Sequence, residues 1–187
     1  AFVISRGLFE RLGGFADNFF MYYEDTDLSL RVWQAGYACA VVPGARVAHA
    51  YASRFHPNKI FYLERNRFLS LFSTLSLPLL LSMAPAMAMV ELMTWAYALL
   101  KGRAALAAKA RAWRDVRARW DWVAARRRAT KPAGGKRIAS LFSAALSIDY
   151  IDRTVLTKLV ALAGWLSAAP FLALYRLFAG GERRSEG

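Results

Sequence analysis

Residues 13–31 read GGFADNFFMYYEDTDLSLR, and they carry the strongest signal in the chain. A Gly-Gly pair predicts a turn, the aromatic run after it predicts a loop, and Glu24, Asp25 and Asp27 then place three carboxylates within four residues. Carboxylates this close repel one another, so a fold that holds them together uses them as a catalytic base, as metal ligands or as a helix cap. On spacing alone, helix capping by Asp25 or Asp27 remains an alternative to catalysis.

The segments around this stretch predict an α/β fold for residues 1–67. Short runs rich in β-branched residues alternate with helical patterns, and the acidic first turn of the central helix suits the positive end of the helix dipole. The predicted strands lie at residues 1–5, 38–42 and 45–50, and the predicted helices at residues 7–12, at 25–35 and from 58 onward.

The rest of the chain predicts an all-α, membrane-associated region. Hydrophobic residues make up 57% of the 187 residues and the net charge is +13, a combination that argues against disorder and against an ordinary soluble enzyme. Residues 101–137 alone carry thirteen basic and two acidic side chains, a balance of +11. We expect kinked apolar helices over 68–100, a basic amphipathic helix and linker over 101–137, and a second apolar segment with a polar tail over 138–187.

Two membrane topologies fit the first apolar segment. It is as long as a transmembrane helix of about 20 residues requires, but Pro78 and Pro85 interrupt it. A re-entrant hairpin bent near residues 83–86, or helices lying in the interface, would keep both flanks in the cytoplasm, where positive charge is favoured. A single crossing is the alternative. We therefore predict the cytoplasmic face of the membrane, with anionic lipid as a partner, and no signal peptide or intrachain disulfide, since Cys39 is the one cysteine.

A longer motif accounts for the first seventy residues. It comprises an apolar strand, Phe9, the Gly-Gly-Phe turn, the aromatic run ending in Glu-Asp-Thr-Asp-Leu, a helix ending in Ala-Gly-Tyr, and a strand leading to Pro-Gly-Ala-Arg-Val-Ala-His. This pattern resembles the C-terminal half of the catalytic domain in family 2 glycosyltransferases of the rhamnosyltransferase-like kind, which are inverting enzymes of the GT-A fold.

The resemblance implies a hexosyl transfer from a nucleotide-diphosphate sugar to a hydroxyl of a cell-envelope glycan or lipid-linked acceptor. It implies that Asp25 is the general base and that Glu24 orients the acceptor or tunes the base, while Asp27 supports the helix. His49 would approach a divalent metal, Mg²⁺ or Mn²⁺, or the donor diphosphate, and Arg65 would contact a phosphate. The metal would be held mainly by a nucleotide-binding half with its own Asp-x-Asp motif. These 187 residues lack that half, and their Asp25-Thr26-Asp27 belongs to the acceptor-side motif. We therefore expect this chain to be inactive alone.

Each of these residues also has a structural interpretation. Gly13 and Gly14 bring backbone amides to a substrate or simply make a turn. Phe20 and Tyr22 stack on a sugar or pack, and Arg65 binds phosphate or extends from the membrane edge. His49 ligates a metal or ends a strand.

Two other functions compete with sugar transfer at this level. The interleaved Arg and Trp residues of 101–137 suit a nucleic-acid-binding module, although their position between apolar segments argues against nucleic acid as a partner. A structural membrane adaptor without catalysis is the other alternative.

Overall fold

The structure, a computed structural model, describes residues 2–48, 56–130, 134–142 and 168–179. Every regular element within these ranges is a helix. The helices are α1 (Arg6–Arg11), α2 (Glu24–Gln34), α3 (Pro57–Thr74), α4 (Leu77–Lys101), α5 (Arg103–Ala118), α6 (Trp120–Ala129), α7 (Gly135–Ala139) and α8 (Ala168–Phe178).

The predicted α/β class is wrong, because the described residues contain no strand and the fold is all-α. The runs predicted as strands are non-helical and solvent-exposed: Val3 is 101% and Val41 is 90% exposed. β-Branched side chains favour a strand because they fit a half-buried pleated surface. Such a run forms a strand only when a neighbouring backbone segment pairs with it. No described segment provides that neighbour. Residues 1, 49 and 50 of the predicted strands lie outside the described residues.

The chain divides into two compact units, and the first comprises residues 1–74 and 102–129. Its central element is α3, which packs against α2, α5 and α6. Pro57 begins α3, where its fixed φ suits a first helical position and its missing N–H costs nothing. Small buried residues of α5, including Ala105, Ala108 and Ala112, line the side of α5 that is removed from solvent.

Aromatic contacts join α3 to the helices that follow α4. The ring of Phe68 lies 4.3 Å from that of Trp113, and the ring of Phe72 lies 5.9 Å from that of Trp120, both measured between centroids. The basic amphipathic helix predicted within 101–137 consists of two helices, α5 and α6, with Arg119 as the C-cap of α5. Its apolar face, expected to lie on a membrane, packs on α3 instead.

A buried ion pair also connects α3 with α5. Lys109 is fully buried, and its Nζ lies 2.7 Å from Oε2 of Glu64, which accepts a second bond from Arg67 Nη2 at 2.8 Å. An ammonium group removed from water is stable only when a carboxylate compensates its charge. Lys109 belongs to the basic segment 101–137, but it stabilises the interior of the first unit.

The second unit comprises residues 75–101 and 130–187. Its helix α4 has 25 residues and is the one described helix long and apolar enough to cross a membrane. It continues as one helix through residues 83–86, with Pro85 inside. The membrane topology of this segment stays a prediction. Near α7 and α8, Arg176 Nη2 donates to the carbonyl oxygens of Ala139 at 2.7 Å and Phe142 at 2.8 Å. The division of the chain at residues 67, 100 and 137 stays a prediction.

We expect Glu64→Gln to lower the free energy of unfolding by about 3 kcal/mol, because it leaves the Lys109 ammonium buried without its carboxylate. The double variant Glu64→Leu/Lys109→Met should recover most of that loss. Denaturant unfolding in detergent, followed by tryptophan fluorescence, measures both values. The matched control is Glu10→Gln, which removes the exposed pair with Arg6 and should cost at most about 1 kcal/mol. Equal losses in Glu64→Gln and Glu10→Gln would contradict the assignment.

Candidate active site

The turn before α2 has an unusual backbone. Tyr22 and Tyr23 adopt φ values of 66° and 68°, in the left-handed region, and Tyr23 is the N-cap of α2. Side chains with a Cβ occupy this region at a cost of about 1–3 kcal/mol each, and they remain there only when the surrounding structure holds them. Glu24 and Asp25 follow directly, so this turn sets where both carboxylates lie.

Asn66 of α3 holds the turn. It is fully buried, and its Nδ2 donates to the carbonyl oxygens of Met21 and Tyr22, both at 2.7 Å. Its Oδ1 accepts a bond from Arg65 Nε at 2.8 Å. One side chain thus satisfies two backbone acceptors of the turn and is itself fixed by a neighbour.

Arg65 extends this network to the aromatic loop and to α5. Its Nη2 donates to the carbonyl oxygen of Asn18 at 2.5 Å, and its Nη1 lies 3.4 Å from Oδ2 of Asp115. The same Asp115 oxygen accepts from Arg119 Nε at 2.7 Å, and Arg119 also donates to the side-chain oxygen of Asn18. Burial lowers the pKa of the Arg65 guanidinium, and the nearby Asp115 carboxylate opposes that effect.

The position of Arg65 bears on the two roles predicted for it, a phosphate contact and a place at the membrane edge. The residue is 6% exposed, and its guanidinium donates to partners within the chain. The membrane-edge alternative requires a solvent-facing head group, which this burial does not provide. Its role in substrate binding stays a prediction.

The Gly-Gly turn is held from α2. Gly13 and Gly14 have φ values of 79° and 63°, and a Cβ at Gly14 would lie 3.3 Å from the Phe9 ring. Arg31 donates through Nη1 to the carbonyl oxygen of Leu12 at 2.5 Å and through Nη2 to that of Gly14 at 2.7 Å. Turn formation therefore explains both glycines. Burial lowers the pKa of Arg31, and the adjacent Asp27 opposes that effect.

Asp27 is the buried anion that neutralises these cations. It is fully buried, and its Oδ2 accepts from Arg31 Nε at 3.0 Å. Arg126 Nη2, on α6, lies 2.8 Å from Oδ1 and 2.9 Å from Oδ2. Asp27 supports the structure as expected, but it does so through ion pairs rather than as a helix cap.

The other two carboxylates have different surroundings. Asp25 is exposed, and its Oδ1 accepts from the backbone N–H of Thr26 at 2.7 Å, one of the first-turn amides that lack a partner inside a helix. Glu24 is half-buried, and its Oε2 is shielded from solvent without a hydrogen-bond partner among the described residues. The structure thus separates three neighbouring carboxylates by environment, and it leaves Asp25 facing solvent.

The aromatic side chains of residues 19–23 also differ in their exposure to solvent. Phe19 is buried with its ring 6.0 Å from that of Trp122, whereas Phe20 is 73% exposed and lies 5.6 Å from the ring of Tyr62. Tyr22 is half-buried. Burial raises the pKa of the Tyr23 hydroxyl, although the charge of Arg67 acts in the opposite direction. Phe20 is the aromatic side chain of this run that a ligand can reach most readily.

The structure does not locate a metal site. His49, the predicted ligand, lies outside the described residues, and the described part of the chain contains no group of three or more His, Cys, Asp or Glu side chains suited to a metal ion. The metal stays a prediction.

Several residues that shape the site were missed in the sequence. Asn66 carried a usable signal, because Asn is a poor residue for a helix interior and its presence there indicates a side-chain function. Arg119 lies four residues after Asp115, a spacing that indicates their ion pair on a helix, but its second partner, Asn18, lies 101 residues away. Arg126 carried no signal, because it belongs to a basic run typical of a solvent-facing surface and its partner Asp27 lies 99 residues away.

Comparison with known proteins finds one kind of relative. A stretch of 47 residues is 43% identical to an N-acetylglucosaminyl-diphospho-decaprenol L-rhamnosyltransferase of Mycobacterium tuberculosis, and the match is the same in two strains. The stretch covers 25% of this chain and 15% of that relative's length, so the chain spans a small part of it. No family model and no solved structure matches the chain. The likeness points to glycosyl transfer and to nothing finer.

We expect Asp27→Asn and Asp25→Asn to differ sharply in stability although the substitution is the same and the sites are two residues apart. Asp27→Asn removes the anion that pairs with the buried Arg31 and the half-buried Arg126, and it should lower the free energy of unfolding by about 3 kcal/mol. Asp25→Asn changes an exposed side chain and should stay within about 0.5 kcal/mol of the parent. Denaturant unfolding measures both. A large loss in Asp25→Asn would show that its carboxylate is structural.

Proposed function

We propose that this chain forms the acceptor side of an inverting glycosyltransferase that transfers a sugar from a nucleotide-diphosphate donor to a hydroxyl group of a cell-envelope glycan or lipid-linked acceptor. The match to a rhamnosyltransferase supports sugar transfer as the reaction class. The observation that carries the proposal is the environment of Asp25, an exposed carboxylate at the start of a helix, directly after a turn held by buried hydrogen bonds.

In this proposal Asp25 acts as the general base. Its carboxylate takes the proton of the acceptor hydroxyl while the acceptor oxygen forms a bond to the anomeric carbon. The bond between that carbon and the donor diphosphate breaks, and the diphosphate leaves with the electron pair. A carboxylate beside the anomeric carbon suits an oxocarbenium-like transition state.

Glu24 is proposed to orient the acceptor. Its shielded Oε2 has no described partner, so a hydroxyl group of the acceptor would satisfy it on binding. Phe20, exposed beside Tyr62, offers an aromatic face against which a sugar ring can stack. The Mg²⁺ or Mn²⁺ ion implied by the resemblance does not fit any described cluster, so its site remains a prediction.

We expect Asp25→Asn in the full-length protein to lower kcat by at least about 100-fold, because the amide cannot accept the proton. Donor binding should stay unchanged. Turnover of a nucleotide-diphosphate sugar with a lipid-linked diphosphate sugar as acceptor measures the rate, and calorimetry measures donor affinity. The matched control is Asp17→Asn, which changes an exposed carboxylate in the loop before α2. Undiminished turnover in Asp25→Asn would refute the base assignment.

We also propose that the protein works at the cytoplasmic face of a membrane containing anionic lipid. Helix α4 has the length and composition to cross a bilayer, and α5 begins two residues after it ends. The basic residues of this region fall into two groups. Lys109, Arg119 and Arg126 form ion pairs within the first unit, whereas Arg103, Arg111, Arg114 and Arg117 are exposed.

These four arginines form a continuous face of α5. Helical geometry places them on one side, among the exposed alanines at 104, 107, 110 and 118 and opposite the buried Ala108, Ala112 and Val116. Each arginine near an anionic bilayer contributes about 1 kcal/mol to binding. Nucleic acid would be attracted by the same charge, but the adjoining apolar helix favours a lipid surface.

We expect a fluorophore on Ala110→Cys, in a Cys39→Ser background, to be quenched by headgroup-labelled lipid in nanodiscs that contain anionic lipid, and far less in purely zwitterionic ones. The triple variant Arg111→Gln/Arg114→Gln/Arg117→Gln should lose most of this difference, because the attraction depends on the number of charges. Arg46→Gln/Arg128→Gln, exposed elsewhere, is the control. Equal quenching in anionic and zwitterionic nanodiscs would contradict the assignment of anionic lipid as the partner. Loss of quenching on addition of an oligonucleotide would also contradict it, because the basic face would then prefer nucleic acid to lipid.

A further inference from the structure

We infer that Asn66 is a positioning residue for the sugar transfer proposed above, and that it acts by holding Tyr22 and Tyr23 in the left-handed conformation that places Glu24 and Asp25. The inference rests on the proposed function for its catalytic part. Its conformational part rests on the contacts of the first unit alone.

The hydrogen bonds of Asn66 leave its amide one orientation. Both hydrogens of Nδ2 are used, since Met21 and Tyr22 each present a carbonyl oxygen at 2.7 Å. Its Oδ1 must be an acceptor, because the partner is the donor Arg65 Nε at 2.8 Å. A flipped amide would turn an acceptor toward two carbonyl oxygens and a donor toward a guanidinium. The side chain therefore fixes the turn rather than merely filling space.

The turn needs such a holder because its residues are tyrosines. Glycine adopts positive φ without penalty, whereas a residue with a Cβ does so only against steric cost. Without the two bonds from Asn66, Tyr22 and Tyr23 would relax toward negative φ. The backbone direction at the start of α2 would then change, and Asp25 would move with it.

The holder is itself anchored. Arg65, its neighbour, donates to Asn18 at the beginning of the aromatic run and pairs with Asp115 of α5. Arg65 therefore fixes one end of the 18–22 segment, at Asn18, and Asn66 fixes the other. The carboxylates of α2 consequently take their position from α3 and α5, which pack against each other in the first unit.

The test is Asn66→Asp in the full-length protein. The new side chain has the same shape but cannot donate to the two carbonyl oxygens. We expect kcat to fall by about 10- to 100-fold, as for a small displacement of a reacting group, with an unchanged KM for the donor. Asn58→Asp, the same change at an exposed site of α3, is the control and should leave both constants unchanged.

A glycine rescue separates positioning from general stability. In a Tyr22→Gly/Tyr23→Gly background the left-handed turn costs nothing, so Asn66→Asp should lower kcat by less than about threefold there. Hydrogen exchange of residues 20–25 should rise in Asn66→Asp and return toward the parent in the triple variant. If the losses caused by Asn66→Asp are equal in both backgrounds, the positioning role is overturned.

The remaining outcomes distinguish the two proposals. Faster exchange in Asn66→Asp with undiminished kcat would overturn the catalytic part of the inference while the proposed function stands. If the parent protein transfers no sugar from any nucleotide donor, the proposed function fails. The exchange comparison between the two backgrounds then still supports or overturns the claim that Asn66 sets the turn.

Discussion

The buried carboxylate of Asp27 is the constraint on which the first unit depends. It neutralises Arg31, whose other nitrogens hold the carbonyl oxygens of the Gly-Gly turn, and Arg126, which belongs to a helix almost one hundred residues further along the chain. Three segments distant in sequence thus share one anion. An uncompensated charge in this position would lower the stability of the fold by several kcal/mol. The three segments are therefore expected to assemble cooperatively around Asp27.

Other cations of the first unit are also compensated by carboxylates. Glu64 compensates Lys109, and Asp115 compensates both Arg65 and Arg119. The first unit therefore has a polar network in which several cations share three carboxylates and some backbone oxygens, and α3 also carries aromatic contacts. The loop before α2 is fixed by this network, and that is what allows two strained tyrosines to precede an exposed carboxylate.

Local features of the sequence predicted local structure well. The Gly-Gly turn, the helix beginning near Asp25 and the helix from residue 58 were visible as composition and spacing. The apolar segment 68–100 was visible too, although its first residues belong to α3 and most of the rest to α4. The fold class was not, because β-branched runs such as residues 38–42 do not reveal whether a pairing neighbour exists. The packing of α5 on α3 was not predicted for a related reason. Its apolar face is equally suited to a lipid surface and to α3, and only the packed structure distinguishes them.

The site was predictable only in part. The sequence identified Glu24 and Asp25, and the structure adds that Asp25 is exposed while Asp27 is buried, a difference that three adjacent carboxylates do not disclose. Asn66, Arg119 and Arg126 each have a partner 44 to 101 residues away, which no local motif can reveal.

The left-handed tyrosines also have an evolutionary consequence. A homologue with glycine at position 22 or 23 would have no need for an amide donor at position 66, and selection on that residue would relax. Where both tyrosines persist, the other side chain with two amide donors and an acceptor is Gln, which is one methylene longer than the buried position 66 accommodates in the present geometry, so replacement of Asn66 should follow the glycine and not precede it.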